Sequence, residues 1–96
     1  MKYGLLWYDN DPRRPLEDKI GRAARRYHDK YGSWPNTCFV HPEAVAGLEE
    51  QELKVRSPAR KQDTIQVVSA SNVLLHHFWL GENQYPIHRK GAKAAN

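Results

Sequence analysis

Hydrophobic positions in the first half of the chain alternate or recur in a way that predicts strand, helix and strand. Tyr3–Tyr8 has apolar residues on both alternating sets, which is typical of a central strand covered on both faces. From Pro15 to Tyr31 apolar residues recur at spacings of three and four, and Gly32 follows the last of them. This segment is therefore predicted to be one long amphipathic helix. Thr37–Val40 is short and β-prone, which predicts a second strand.

The second half predicts a short helix and further strands. A helix is expected from Pro42 to about Gln51, and a strand near 53–56. Residues 64–68 alternate and 73–80 form a longer apolar run, so these two are expected to pair as an antiparallel hairpin. The predicted fold is α+β, or a small α/β fold, with a mixed sheet of four or five strands in the order β-α-β-α and then a C-terminal hairpin.

The length of the chain, 96 residues, is that of one domain. We expect a single compact domain over residues 1–80 and a polar, basic tail over 81–96. The core is predicted to draw residues from the helix and from several strands: Leu5, Trp7, Ile20, Ala24, Tyr27, Phe39, Val67, Leu75 and Phe78.

Composition narrows the classes of function. No apolar run approaches the roughly 18 to 20 residues that span a bilayer, so no membrane association is expected. The single cysteine, Cys38, cannot form an internal disulfide or supply a zinc site of two or four cysteines. The chain has no GxGxxG, GxxxxGK[ST] or GxSxG motif. The sequence therefore predicts no cofactor, and a reducing cytoplasm is the expected compartment.

Two aspartates at the end of the first strand, Asp9 and Asp11, are the candidate catalytic residues. Carboxylates at the carboxyl end of a strand could hold Mg²⁺, with His41 as a third ligand from a neighbouring strand. Aspartate is equally favoured there as a turn and helix-capping residue. Both interpretations stay open, and the one without a metal is favoured.

The stretches Leu6–Asp9, Asp11–Arg14, Tyr31-Gly32 and Cys38–Val40 together resemble the start of the small CRISPR spacer-acquisition family. The resemblance covers about the first 40 residues. It implies a small ferredoxin-like, metal-dependent nuclease in which Asp9 is the metal ligand. The second half departs from that family, which has a longer second helix before its last strand.

Basic residues suggest a second alternative, nucleic-acid binding. Residues 53–96 carry seven Lys or Arg against two acids, whereas residues 1–52 carry eight against nine. A basic surface of this kind can track a phosphate backbone. The candidate contact residues are Arg13, Arg14, Arg56, Arg60, Lys61, Arg89 and Lys90.

Protein docking is the favoured interpretation of function. Trp34 and Tyr85 lie in expected loops, where an aromatic side chain can anchor a partner. Phe78 and Trp79 of the last strand could extend an apolar docking patch, although core packing is the simpler explanation for Trp79. The acidic residues between Glu43 and Glu52 directly precede the basic loop, so they would repel a polyanion and can pair with its arginines. We therefore predict a small cytoplasmic accessory module without catalysis that binds an unidentified protein, and leave a homo-oligomer open.

Overall fold

The computed structural model describes residues 4–46, 50–55 and 63–83, and within them the chain forms an α+β fold with five strands and one α-helix. A single 3-10 helix, Pro42–Val45, follows the second strand. The strands and the helix are β1 (Gly4–Tyr8), α1 (Leu16–Tyr31), β2 (Thr37–Val40), β3 (Glu50–Val55), β4 (Asp63–Ser69) and β5 (His77–Gly81). No helix among these residues has both the length and the apolar character needed to cross a bilayer.

Helix α1 has the boundaries and the helical phase that its sequence predicts. Ile20, Ala23, Ala24 and Tyr27 are buried along one side, at the spacing of three and four that keeps them on a single face. The helix ends at Gly32, which adopts a left-handed φ of 81° and donates its N–H to the His28 carbonyl at 2.8 Å. Glycine suits this position because a Cβ atom disfavours positive φ.

The sheet has the strand order β1-β5-β2-β4-β3. Strand β5 is antiparallel to both of its neighbours, β1 and β2, while β2 and β4 are parallel and β3 and β4 are antiparallel. The predicted C-terminal hairpin is not found, because β2 lies between β4 and β5. The two strands do run in opposite directions, but the segment from Ala70 to His76 carries the chain past β2 before β5 begins.

Two further expectations need correction. The predicted second helix is limited to the 3-10 turn, because Ala46 enters the left-handed region at φ 53° and a strand has begun by Glu50. The described residues therefore contain one α-helix, and the order β-α-β-α is not confirmed. Strand β1 was expected at the centre of the sheet, yet it is an outer strand that pairs only with β5 among the described strands.

The core lies between α1 and one face of the sheet. Residues from α1 pack against buried side chains of the inner strands, among them Cys38, Val40, Ile65, Val67, Phe78 and Leu80. Leu5 and Trp7 of β1 are partly buried against this cluster. Leu75 was expected in the core but is 41% exposed, because it lies in the segment before β5 rather than in the strand. Phe39 was also expected there, but it is half-buried on the face of the sheet that points away from α1.

Beyond the predicted domain boundary at residue 80, side chains still hold the chain to the fold. β5 continues to Gly81, and the Glu82 carboxylate accepts hydrogen bonds from Tyr27 Oη at 2.9 Å and Ser33 Oγ at 2.6 Å. Asn36 Oδ1 accepts from the Asn83 N–H at 2.7 Å. Residues 84–96, most of the predicted tail, lie outside the described residues.

Candidate functional site: the open face of the sheet

Alternate residues of the strands point away from α1, and we call the apolar part of that surface the open face. It consists of Leu6, Tyr8, Phe39, Val68, His77 and Trp79. The strand register places four of these side chains in one row across the sheet, since Leu6 pairs with Trp79, Trp79 with Phe39, and Phe39 with Val68. The row crosses four of the five strands, so the sheet geometry alone brings these residues together.

The open face is exposed at its outer strand. Leu6 is 58% and Tyr8 55% exposed, while Phe39, Val68 and Trp79 are half-buried. An antiparallel sheet with one solvated face normally alternates apolar inward and polar outward residues. Here both sets are apolar at this end of the sheet. A contiguous exposed apolar surface is a common mark of an interaction site, whereas a single exposed leucine is not.

A groove of about 520 Å³ is formed where the segment Ala70–His76 lies beside the open face. Its wall is shaped by turns in which Val73 N–H donates to Ala70 O at 3.1 Å and His77 N–H donates to Leu74 O at 3.1 Å. Leu74, at the rim, is 70% exposed. The groove is lined by Leu6, Phe39, Ala70, Asn72, Val73, Leu74, His77 and Trp79.

The groove is suited to apolar groups. Among the described residues that line it there is no carboxylate, ammonium or guanidinium group, and the polar groups belong to Asn72, His77 and the Trp79 indole. The His77 ring lies 4.9 Å from the Tyr8 ring between centroids, tilted by 53°, and its Nδ1 is 3.0 Å from the Leu75 carbonyl oxygen. The volume of the groove falls in the range of about 300–1,000 Å³ that is usual for binding pockets.

The other end of the same sheet surface is polar. Thr37 and Gln66 are buried there. Thr37 Oγ1 donates to Asn36 Oδ1 at 2.8 Å, and Gln66 Nε2 donates to Glu52 Oε2 at 3.1 Å. Since these groups have partners within the fold, the candidate site is confined to the apolar end.

Asp9 and Asp11, the predicted catalytic carboxylates, lie close together, and both form hydrogen bonds and ion pairs with arginines. Asp9 Oδ1 accepts from the Asp11 backbone N–H at 3.0 Å, and Arg14 Nε donates to Asp9 Oδ2 at 3.1 Å. Arg14 Nη2 also donates to Asp11 Oδ2 at 3.3 Å. The backbone N–H of Arg13 donates to Asp11 Oδ1 and, with the Arg13 side chain, lowers the pKa of that carboxyl. This network orders the turn between β1 and α1.

His41 does not join these carboxylates. Its Nδ1 accepts the Glu43 N–H at 3.0 Å and so caps the 3-10 helix. Within residues 4–46, 50–55 and 63–83, no group of three or more His, Cys, Asp or Glu side chains is placed to hold a metal ion.

Cys38 is buried, and burial raises the pKa of its thiol.

Trp34, a predicted docking residue, is packed against the fold rather than held out in solvent. Its ring stacks on His28 with 4.5 Å between centroids and an interplanar angle of 19°, and it lies against the core cluster. Arg13 is exposed, whereas Arg14 is bound as described. The remaining predicted contact residues, Tyr85, Arg56, Arg60, Lys61, Arg89 and Lys90, lie outside the described residues.

Apart from Trp79, the open face was missed from the sequence. Its signal was present in β1, where both alternating sets are apolar, but that pattern was interpreted as a strand covered on both sides. Comparisons with known proteins found no matching family model, no matching curated protein and no matching solved structure.

Proposed function

We propose that this protein is a docking module that binds an apolar polypeptide segment on the open face. The observation that supports this is the row of Leu6, Trp79, Phe39 and Val68, which continues into the groove beside Leu74. A large apolar side chain of the partner would enter the groove, and neighbouring residues would lie along the row. Burial of aromatic and aliphatic anchors of this kind provides most of the binding energy in protein interfaces.

The shape and charge of the surface support a polypeptide rather than a nucleic acid as partner. Bases could stack on Trp79 and Tyr8, but phosphates would also need cations nearby. Among the described side chains of this sheet surface there is one lysine, Lys54, and the nearby Glu52 on the same face carries the opposite charge. The engagement of Asp9 and Asp11 by Arg13 and Arg14 supports a structural role for those carboxylates.

The test is selection of binding peptides from a random library displayed on phage, with the full chain as target. The selected peptides are expected to share at least one large apolar residue, and titration calorimetry should show affinities that change little with added salt, because apolar burial is not screened. Leu74→Asp places a charge at the groove rim and should weaken binding about 10-fold or more, which corresponds to about 1.4 kcal/mol. Arg25→Ala, on the exposed side of α1, is the matched control and should bind like the parent chain.

Two results would contradict this function. One is peptide binding that Leu74→Asp leaves unchanged, since the site would then lie elsewhere. The other is tight binding of single-stranded oligothymidylate with a steep dependence on salt, which would favour the nucleic-acid alternative.

A further inference from the structure

The two outer strands of the sheet differ in how they are protected against further pairing. Strand β3 carries Glu50, Glu52 and Lys54 at alternate positions. Charged residues on an outer strand discourage association with another strand. Strand β1 has the sequence Gly-Leu-Leu-Trp-Tyr, with no charged residue and no proline. The β1 edge is therefore the one that is chemically suited to accept another strand.

The backbone of β1 presents unused hydrogen-bonding groups along this edge. The Asp9 N–H donates to the His76 carbonyl at 3.0 Å, so Asp9 and every second residue before it direct their N–H and C=O groups toward β5. Gly4, Leu6 and Tyr8 then direct theirs outward. The Gly4 carbonyl accepts the Tyr31 hydroxyl at 3.1 Å, but the outward groups of Leu6 and Tyr8 have no hydrogen-bond partner among the described residues.

The unused segment is bounded at both ends. Tyr31 occupies the Gly4 end, and beyond Tyr8 the chain turns into the network of Asp9, Asp11 and Arg14. A partner strand must therefore also be short, apolar and uncharged. Of the two outer strands among the described residues, only β1 meets those conditions. A second copy of β1 carries the same limits, and an antiparallel arrangement places them outside the contact.

We propose that two copies of the chain associate by antiparallel pairing of their β1 strands about a two-fold axis at Trp7. Leu6 of each copy stands opposite Tyr8 of the other, and the two residue pairs exchange four backbone hydrogen bonds without disturbing Tyr31. The two five-stranded sheets join into one, and the open faces become continuous across the axis. This pairing does not depend on what the open face binds.

The contact is small, so the association is expected to be weak. A contact through three residues of each strand buries less than the roughly 1,000 Å² of a stable interface. In sedimentation velocity, the mass of the full chain should rise from that of a monomer toward twice that value as the concentration is raised from micromolar to millimolar. A monomer at every concentration would overturn the proposal.

Leu6→Pro tests the backbone contact directly. Proline removes the outward N–H of residue 6 and leaves the bonds of β1 to β5 in place, because proline is tolerated where the N–H faces away from the sheet. The variant should remain monomeric at all concentrations, whereas the control Leu6→Val keeps the N–H and should associate like the parent. Tyr8→Lys gives a second test through charge on the edge, should Leu6→Pro fail to fold by circular dichroism.

Cross-linking tests the register. In this pairing residue 6 of one copy lies opposite residue 8 of the other, so the double variant Leu6→Cys/Tyr8→Cys should form a disulfide-linked dimer on mild oxidation. Each single variant separates its own two thiols by about 8 Å between Cα atoms, beyond the roughly 7 Å that a disulfide spans. Efficient cross-linking by Leu6→Cys alone would overturn the Trp7-centred register.

Two other outcomes would also count against the proposal. Association that Leu74→Asp abolishes and Leu6→Pro leaves intact would place the contact on the open face instead of the β1 edge. A chain that stays monomeric while the Leu6 and Tyr8 amides resist hydrogen exchange would show that another segment of the same chain occupies the edge. Peptide binding by the open face can succeed or fail in each of these cases, so the two proposals are tested separately.

Discussion

The two faces of the sheet are made from alternate residues of the same strands, yet α1 covers only one of them. In β5, Phe78 and Leu80 are buried under the helix, while Trp79 between them lies half-buried in the groove. In β1, Trp7 packs against the core and its neighbours Leu6 and Tyr8 are exposed. Alternation therefore determines which way a side chain points, and the single α-helix of the described residues covers the side chains on one face only.

The largest expected difference between the faces is in stability. Phe78→Ala should lower the free energy of unfolding by about 3–5 kcal/mol, because it leaves a cavity beneath α1. Leu6→Ala, on the open face, should change it by no more than about 0.5 kcal/mol. Urea denaturation followed by circular dichroism measures both. A large cost for Leu6→Ala would mean that another part of the molecule covers the open face.

Thiol reactivity offers a second contrast between the faces. Burial on the helix side raises the pKa of Cys38, so its thiol stays protonated at neutral pH and is shielded from reagents. A cysteine at position 6 would take the place of a side chain that is 58% exposed. With dithionitrobenzoate, Leu6→Cys should react about 100-fold or more faster than the native Cys38. The parent chain in urea is the control and should lose its protection.

Gly4 is a position at the open face where substitution should be costly. A Cβ atom there would lie 2.5 Å from the Leu80 carbonyl oxygen and 3.0 Å from the Trp79 ring. Gly4→Ala should therefore destabilise the fold by about 1–3 kcal/mol, as over-packing does elsewhere. Denaturation measures the cost, and Leu6→Ala two residues away serves as the control. A neutral Gly4→Ala would show that the β5 backbone at Leu80 shifts away from β1 at little cost, together with the Trp79 ring.

The smallest expected effect concerns the turn that leads from the open-face strand β1 to the covering helix α1. The backbone N–H and side chain of Arg13 hold the pKa of Asp11 below its ordinary value of 3.8. The stability that Asp11 contributes is therefore present above that value and is lost as the pH falls through the lowered pKa. The melting temperature of Asp11→Asn should decline less steeply than that of the parent between about pH 4 and pH 2. Equal slopes of melting temperature against pH for the two proteins would show that Asp11 does not contribute to the loss of stability in acid.

Secondary structure could be predicted where a single hydrophobic periodicity was sufficient to assign the segment. The recurrence of Ile20, Ala23, Ala24 and Tyr27 was sufficient for α1 and its buried side, and Gly32 marked its end. The mixed sheet was also anticipated. The prediction of a second helix was wrong, because Ala46 ends the 3-10 helix in a left-handed conformation that an alanine in the sequence does not indicate.

Strand order and the open face could not be derived in the same way. The apolar pattern of residues 64–68 and 73–80 does not indicate that β2 lies between these two segments in the sheet, because an apolar strand can pair with any apolar neighbour. The doubly apolar pattern of β1 fits a central strand and an outer strand with one uncovered face equally well. Asp9 and Asp11 lie two residues apart in the sequence, but only side-chain geometry shows that Arg14 forms hydrogen bonds with both.

The pairing of β1 with β5 also sets the order of events during synthesis. Among the described strands β1 is made first and its partner β5 is made last, with Gly4 pairing with Gly81. At about 5–20 residues per second, a ribosome needs roughly 4–15 s to add the intervening chain. For that interval Leu5 and Trp7 have no β5 to pack beside. The sheet can close only when its final strand reaches the position between β1 and β2.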